Sequence, residues 1–163
     1  MTVIGVDRDP HARTLTIVAT FNTRVERVWQ VWADPRQLER WWGPPAYPAT
    51  VLEHDLTPGG RVTYYMTGPD GKKLHAWWRI TSVEPPRSLA FEEGNTDEST
   101  PANNAPTTSI EVRLIETSEH TTMTITCRFA LTADKEVPGI DTEKGMKLAV
   151  GQIDALLATP AGS

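Results

Sequence analysis

The sequence predicts an α+β domain, with helices packed on one face of an antiparallel sheet. Three observations carry the prediction. From Tyr47 to about Arg128 apolar residues alternate in short runs, with no helical stripe long enough to serve as a parallel crossover. Directly after Phe21 the apolar period changes from two to that of a helix, and a long amphipathic stripe closes the chain.

The first strong alternation is Thr14 to Phe21, where Leu15, Ile17, Ala19 and Phe21 share one face and threonines dominate the other. Thr23 and Glu26 have capping-box spacing. Val25, Val28, Trp29 and Trp32 then follow at i, i+3, i+4 and i+7, the stripe of an amphipathic helix. A second short helix begins at once, with Asp34 as N-cap, Pro35 at N1 and Gln37 at N3, and Gly43-Pro44-Pro45 ends it after Trp41 and Trp42. Six strands are expected next. Pro58-Gly59-Gly60 separates a strand ending near Leu56 from Arg61 to Met66, and Gly68-Pro69-Asp70-Gly71 separates that one from Leu74 to Val83. After Pro85-Pro86 comes a short strand, Leu89 to Glu92. Gly94 to Thr108, rich in Asn, Thr, Ser and Pro with no aliphatic residue larger than Ala, reads as a mobile loop. Ile110, Val112 and Leu114 share one face of the fifth strand, and Met123, Ile125, Cys127 and Phe129 one face of the sixth. Asp141 is placed to cap a long helix with Met146, Ala149, Val150, Ile153 and Leu157 along one stripe. The order is one strand, two helices, six strands and a long helix, in a single domain spanning 1–163 with its core at about 12–158.

Composition narrows the function classes. At 163 residues and 18.1 kDa, a single domain buries roughly two-thirds of its extended-chain surface on folding. The 39% hydrophobic and 23% charged fractions are those of ordinary globular chains. No apolar run approaches the ~18 residues of a membrane span, so membrane insertion is not expected. A net charge of −5 disfavours nucleic acid as a partner. The single cysteine, Cys127, can make neither an intramolecular disulfide nor a Cys-based zinc site. Val3 to Val6 is interrupted at once by Asp7, Arg8 and Asp9, unlike a secretory signal. A cytoplasmic location is the expectation. The anomaly is tryptophan, present six times, at 29, 32, 41, 42, 77 and 78.

Three stretches carry a resemblance: VWQVWADPRQLERWWGP from Val28 to Pro44, LTPGGRVTYYMTGPDGKK from Leu56 to Lys73, and SVEPPRSLAFEE from Ser82 to Glu93. Together, in this order and at these separations, they resemble the signature stretches of the bacterial homologues of the activator of the heat-shock-protein-ninety ATPase, the AHA-like branch of the SRPBCC (START-like) superfamily. The resemblance spans essentially the whole chain. It implies a helix-grip fold, a curved antiparallel sheet wrapped around a long C-terminal helix, with two short helices closing one end over an interior cavity. It also implies a superfamily of lipid carriers, hormone receptors, aromatases, cyclases and some hydrolases, among which fold alone does not choose. Only about a dozen residues precede the first predicted strand, too few for the extra N-terminal domain with which the eukaryotic activators engage the chaperone, so a chaperone partner is not the expectation.

No catalytic spacing is present: no HExxH, GxSxG, phosphate-binding glycine loop or GxGxxG. Four scattered histidines argue against a metal site. His54 shares strand parity with Leu52 and Leu56 and is expected to point inward, either as a hydrogen-bonded core histidine or as a ligand contact. His75 is expected on the outer face with Trp77 and Arg79, Asp55 beside the Pro-Gly-Gly turn, and Glu92-Glu93 at a solvated strand edge. Trp41 and Trp42, about 100° apart on a helix, suit one core position and one position bordering an opening. Tyr64 and Met66 share a face with Val62, and Trp78 with Ala76 and Ile80. The expected cavity lining is Trp32, Trp42, Tyr64, Met66, Trp78, Met146 and Val150, with His54 as a polar contact. The first expectation is thus a cofactor-free, metal-free binder of a small hydrophobic or aromatic ligand, with no catalytic residues assigned. The alternatives are a cyclase, dehydratase or hydrolase using His54 and Tyr64 in the same cavity, and a module acting on a chaperone ATPase. The sheet edges and the face bearing Trp77 could support a homodimer.

Overall fold

A computed structural model describes residues 3–9, 14–43, 46–95, 108–118, 120–129 and 147–157. Its strands are β1 (Val3–Asp9), β2 (Thr14–Phe21), β3 (Ala49–His54), β4 (Arg61–Thr67), β5 (Lys73–Glu84), β6 (Ser88–Asn95), β7 (Thr108–Thr117) and β8 (His120–Phe129). They form one curved antiparallel sheet in the order β1-β2-β8-β7-β6-β5-β4-β3. Helices α1 (Val25–Ala33) and α2 (Pro35–Trp41) lie between β2 and β3, and α3 (Ile153–Leu157) near the end. This is the α+β helix-grip arrangement.

The sheet has one strand more than expected. β1 pairs with β2 from Val3↔Ala19 to Asp9↔Thr14. Its charged residues disguised it: Asp7 and Asp9 are exposed, and among its described side chains Val6 packs on the core. An edge strand is held mainly by its ladder, and charges there also block pairing with other chains.

The period-two faces fall where the alternation put them. Leu15, Ile17, Ala19 and Phe21 are buried, and opposite them on β8 so are Met123, Ile125 and Cys127. Ile110, Val112 and Leu114 of β7 and Ala76, Trp78 and Ile80 of β5 complete the concave face.

The two short helices close over that face by different means. The Thr23–Glu26 capping box is not formed: Arg24 is the N-cap of α1 and makes no side-chain cap. Glu116, from β7, supplies the acceptor instead, with Oε1 2.8 Å from the Val25 N–H. A distant carboxylate thus satisfies the orphan donor that a local side chain normally takes. Asp34 does cap α2, its Oδ1 accepting from the Arg36 N–H at 2.9 Å, with Pro35 in the first turn. Gln37 donates to Asp34 Oδ2 and accepts from Arg27 Nη1, so it braces α1 and α2 rather than closing a reciprocal box.

α2 also covers the β3 edge of the sheet. Glu39 Oε1 accepts from the Val51 N–H at 2.9 Å, and Arg36 Nη2 donates to the Val51 carbonyl at 3.0 Å. Edge groups otherwise open to another chain are used at this point.

Helical backbone runs over 147–151, turns at Gln152, and resumes as α3. One uninterrupted helix was expected. Gln152 Nε2 instead donates to the carbonyls of Trp41 at 3.2 Å and Gly43 at 2.7 Å, tying this helix to the end of α2 at its break. Ala149, Val150, Ile153 and Leu156 are still buried. The Asp141 cap and Met146 lie outside the described residues. So does most of the expected loop, whose first residues, Gly94 and Asn95, belong to β6 and whose last, Thr108, belongs to β7.

Candidate ligand-binding site

Trp32 of α1, Trp41 and Trp42 at the end of α2, and Trp78 of β5 converge on the concave face. Trp32 and Trp41 meet edge to face at 4.7 Å, Trp42 and Trp78 at 4.9 Å, and Trp78 stacks on Phe91 at 4.0 Å. Each such pair contributes ~0.5–1.5 kcal/mol beyond area burial. Two of the indole N–H groups in this cluster are occupied by core partners: Trp32 donates to Met123 Sδ at 3.3 Å and Trp41 to the Val31 carbonyl at 2.8 Å. Trp41 and Trp42 are both buried, so their expected division into a core position and one bordering an opening is replaced by a division in polarity. The Trp42 N–H is buried without a hydrogen-bond partner among the described residues.

That orphan donor belongs to a polar centre the sequence had not marked. The Tyr64 hydroxyl donates to Glu93 Oε2 at 2.6 Å, and Trp78 Nε1–H donates to the same oxygen at 3.2 Å. Glu93 pairs with Trp78 in the β5–β6 ladder, and paired residues face the same side. It therefore points into the concave face, while Glu92 points outward to an ion pair with Arg79. The expectation of a solvated position holds for Glu92, on the outer face, and fails for Glu93. The sequence signal for Glu93 was the alternation Leu89, Phe91, Glu93, whose first two members are 0% and 1% exposed.

Burial dominates the electrostatics of this pair. It pushes the Glu93 carboxyl above the ordinary glutamate range, against the two hydrogen bonds that favour the carboxylate. Burial first and the Glu93 charge second push the Tyr64 phenol well above 10. The Trp42 N–H is near enough to offset this in a minor way without making a hydrogen bond of normal geometry. Tyr64 is thus a fixed neutral donor, and Glu93 is the group whose protonation can change. Cys127 is pushed up to about 12, by burial and then by the Glu93 charge. Its thiol is accordingly unreactive.

The expected site residues divide. Trp42, Tyr64 and Trp78 form the centre with Glu93, and Met66 lies further along β4, half-buried. Trp32 and Val150 are fully enclosed by protein atoms. His54 sits elsewhere: its Nε2–H donates to the Trp32 carbonyl at 3.0 Å, tying β3 to the end of α1. It reaches the inner face only because a bulge between Val51 and Glu53 reverses strand parity. Leu52, expected to share its face, is 57% exposed. Asp55 accepts from the Thr57 hydroxyl, and His75 lies on the outer face against Tyr65. Among the described residues no group of His, Cys, Asp and Glu could hold a metal, and no helix is long and apolar enough to cross a membrane.

Comparisons with known proteins agree with this architecture. Residues 22–158 match the model of a family described as Activator of Hsp90 ATPase homolog 1-like protein. The crystal structure of protein Ms6760 from Mycobacterium smegmatis is 45% identical, with a TM-score of 0.82 over 97% of this chain and 99% of that one. A solution structure of a protein from Arthrobacter aurescens is 44% identical, with a TM-score of 0.86 over 98% and 94%. An AHSA1 protein from Silicibacter pomeroyi, 22% identical with a TM-score of 0.71 over 89% and 97%, shares the fold. No curated protein matches the chain.

Proposed function

The chain belongs to the Activator of Hsp90 ATPase homolog 1-like family, and we propose that it acts as a cofactor-free binder of a small hydrophobic or aromatic molecule on the concave face of its sheet. One observation carries the proposal. An unsatisfied indole N–H belongs to a ring, that of Trp42, which packs on Tyr64 and Trp78, the two residues that donate to the Glu93 carboxyl, where a purely structural core would have Phe or Leu. An orphan buried donor is costly to maintain in the free protein, by ~1–3 kcal/mol. A ligand acceptor removes that cost.

Screening apolar and aromatic metabolites by melting temperature and tryptophan fluorescence tests this function. A ligand at a hundred times its dissociation constant adds about 2.7 kcal/mol, a rise of several degrees for a domain of this size. If no compound shifts the transition or quenches the fluorescence, the binding function is wrong.

The Tyr64–Glu93 pair also favours a second reading, proton transfer to or from a bound substrate. Here Glu93 takes the role the sequence had offered to His54, whose Nε2 is committed to Trp32. Turnover abolished by Glu93→Gln and retained in His54→Gln would support it. Equal loss in both variants would count against it.

A further inference from the structure

The polar centre also specifies what part of a ligand meets it. Trp42 Nε1–H is a donor only, and it needs an acceptor. Glu93 receives both of its hydrogen bonds on Oε2, which leaves Oε1 with no donor among the described residues. An anionic group would offer Trp42 an acceptor but would face the Glu93 charge in a poorly screened site. An ammonium would suit Glu93 and the aromatic faces, yet it brings no acceptor and meets the positive end of the Trp42 N–H. Only a neutral group with both a donor and an acceptor satisfies both.

The concave face also gives a direction. Along its inward-facing residues β5 passes from Ile80 at 1% and Trp78 at 0% exposed to Ala76 at 8% and Leu74 at 49%, and neighbouring Met66 on β4 is half-buried. Met66 pairs with Leu74, and Glu93 pairs with Trp78, four residues deeper. At ~3.4 Å per residue the polar centre lies ~13 Å along the strands from the exposed apolar end, and between them Ala76 is flanked by Tyr64 on β4 and Asn95 on β6.

Resting on the binding function above, we propose that the ligand enters polar end first. A carboxamide or hydroxyl bridges Trp42 Nε1 and Glu93 Oε1, and an apolar body runs outward past Ala76 and Met66 to Leu74. This orientation places the ligand's polar group among Trp42, Tyr64 and Glu93 and its hydrocarbon toward the exposed Leu74.

Five probes with one body and different ends test the inference at pH 7: 4-phenylbutanamide, 4-phenylbutan-1-ol, 4-phenylbutanoate, 4-phenylbutylamine and butylbenzene. The readouts are melting temperature and the indole N–H resonance of Trp42, assigned by its loss in Trp42→Phe. The amide and the alcohol are expected to shift that resonance and to bind at least about tenfold more tightly than the anion or the cation, a gap of ~1.4 kcal/mol. In Trp42→Phe the amide should lose about that factor while butylbenzene is unaffected. If this variant does not fold, sequential assignment of the wild-type spectrum identifies the Trp42 indole resonance, and its shift decides. Binding of the amine or the carboxylate as tight as that of the amide overturns the proposal, as does an amide that binds without moving the Trp42 resonance. Butylbenzene binding as tightly as the amide overturns it too, but leaves the binding function standing. If none of the five binds while the metabolite screen finds a ligand, this inference alone falls; if the screen is also empty, both fall.

Discussion

Tyr64 and Glu93 meet at 2.6 Å although they stand on β4 and β6, which are not neighbours, with β5 lying between them. Two strand spacings, about 9.6 Å, are bridged because both side chains are long and both lean over the same inward face. Trp78 of β5 completes the bridge from below.

A pH dependence follows from the raised Glu93 pKa. The folded protein holds this proton more tightly than the unfolded chain, so the contribution is fully present below the ordinary value of 4.5 and is lost as pH rises through the higher folded value. Urea unfolding of wild type and Glu93→Gln across pH 3.5–8 should therefore give a difference that moves against the wild type with rising pH. A difference independent of pH would show that the Glu93 carboxyl is not desolvated.

Trp77 covers Gly94 on the outer face. A Cβ at residue 94 would lie 2.5 Å from Trp77 Cζ2, so Gly94→Ala must push the ring away and should cost ~1–3 kcal/mol. Gly151 is the control, since nothing lies within 4 Å of its Cβ position in a helical stretch. Gly151→Ala should stabilise by ~0.5–1 kcal/mol. Chemical denaturation of the two variants measures opposite signs if both environments are as described.

Gln152 ties the C-terminal helix to the carbonyls of Trp41 and Gly43. Gln152→Ala leaves both without this donor and should cost ~1–3 kcal/mol. Amide exchange should quicken in α2 and in residues 147–157 before it quickens in β2 or β8. Uniform quickening would mean that Gln152 acts on global stability alone.

Cys127, with its thiol pushed up to about 12 by burial, should resist a thiol-labelling reagent at pH 8 in the native protein and label fully in denaturant. Native-state labelling at the rate of a free thiol would place Cys127 at the surface.

Much of this molecule was legible in its pattern of apolar residues. The β2 alternation, the α1 stripe and the Asp34-Pro35 start of α2 are local, and each is decided by which residues repeat at two or at 3.6 positions. β1 escaped because an edge strand draws its hold from the ladder rather than from its own apolar face. The Thr23–Glu26 box failed because a better-placed acceptor, Glu116, arrives from 91 residues away.

The amino-acid sequence by itself determined the class of fold, the inward faces of the strands and the concentration of tryptophan that fills them. Only the tertiary structure decided which of those residues form a site. A bulge of one residue sends Leu52 out and His54 in. The β5–β6 register sets Glu93 beside Trp78, and the end of α2 brings the Trp42 ring against Trp78. Period tells which way a side chain faces within its own strand. Register and bulges, which depend on partners far away in the chain, tell what it meets there.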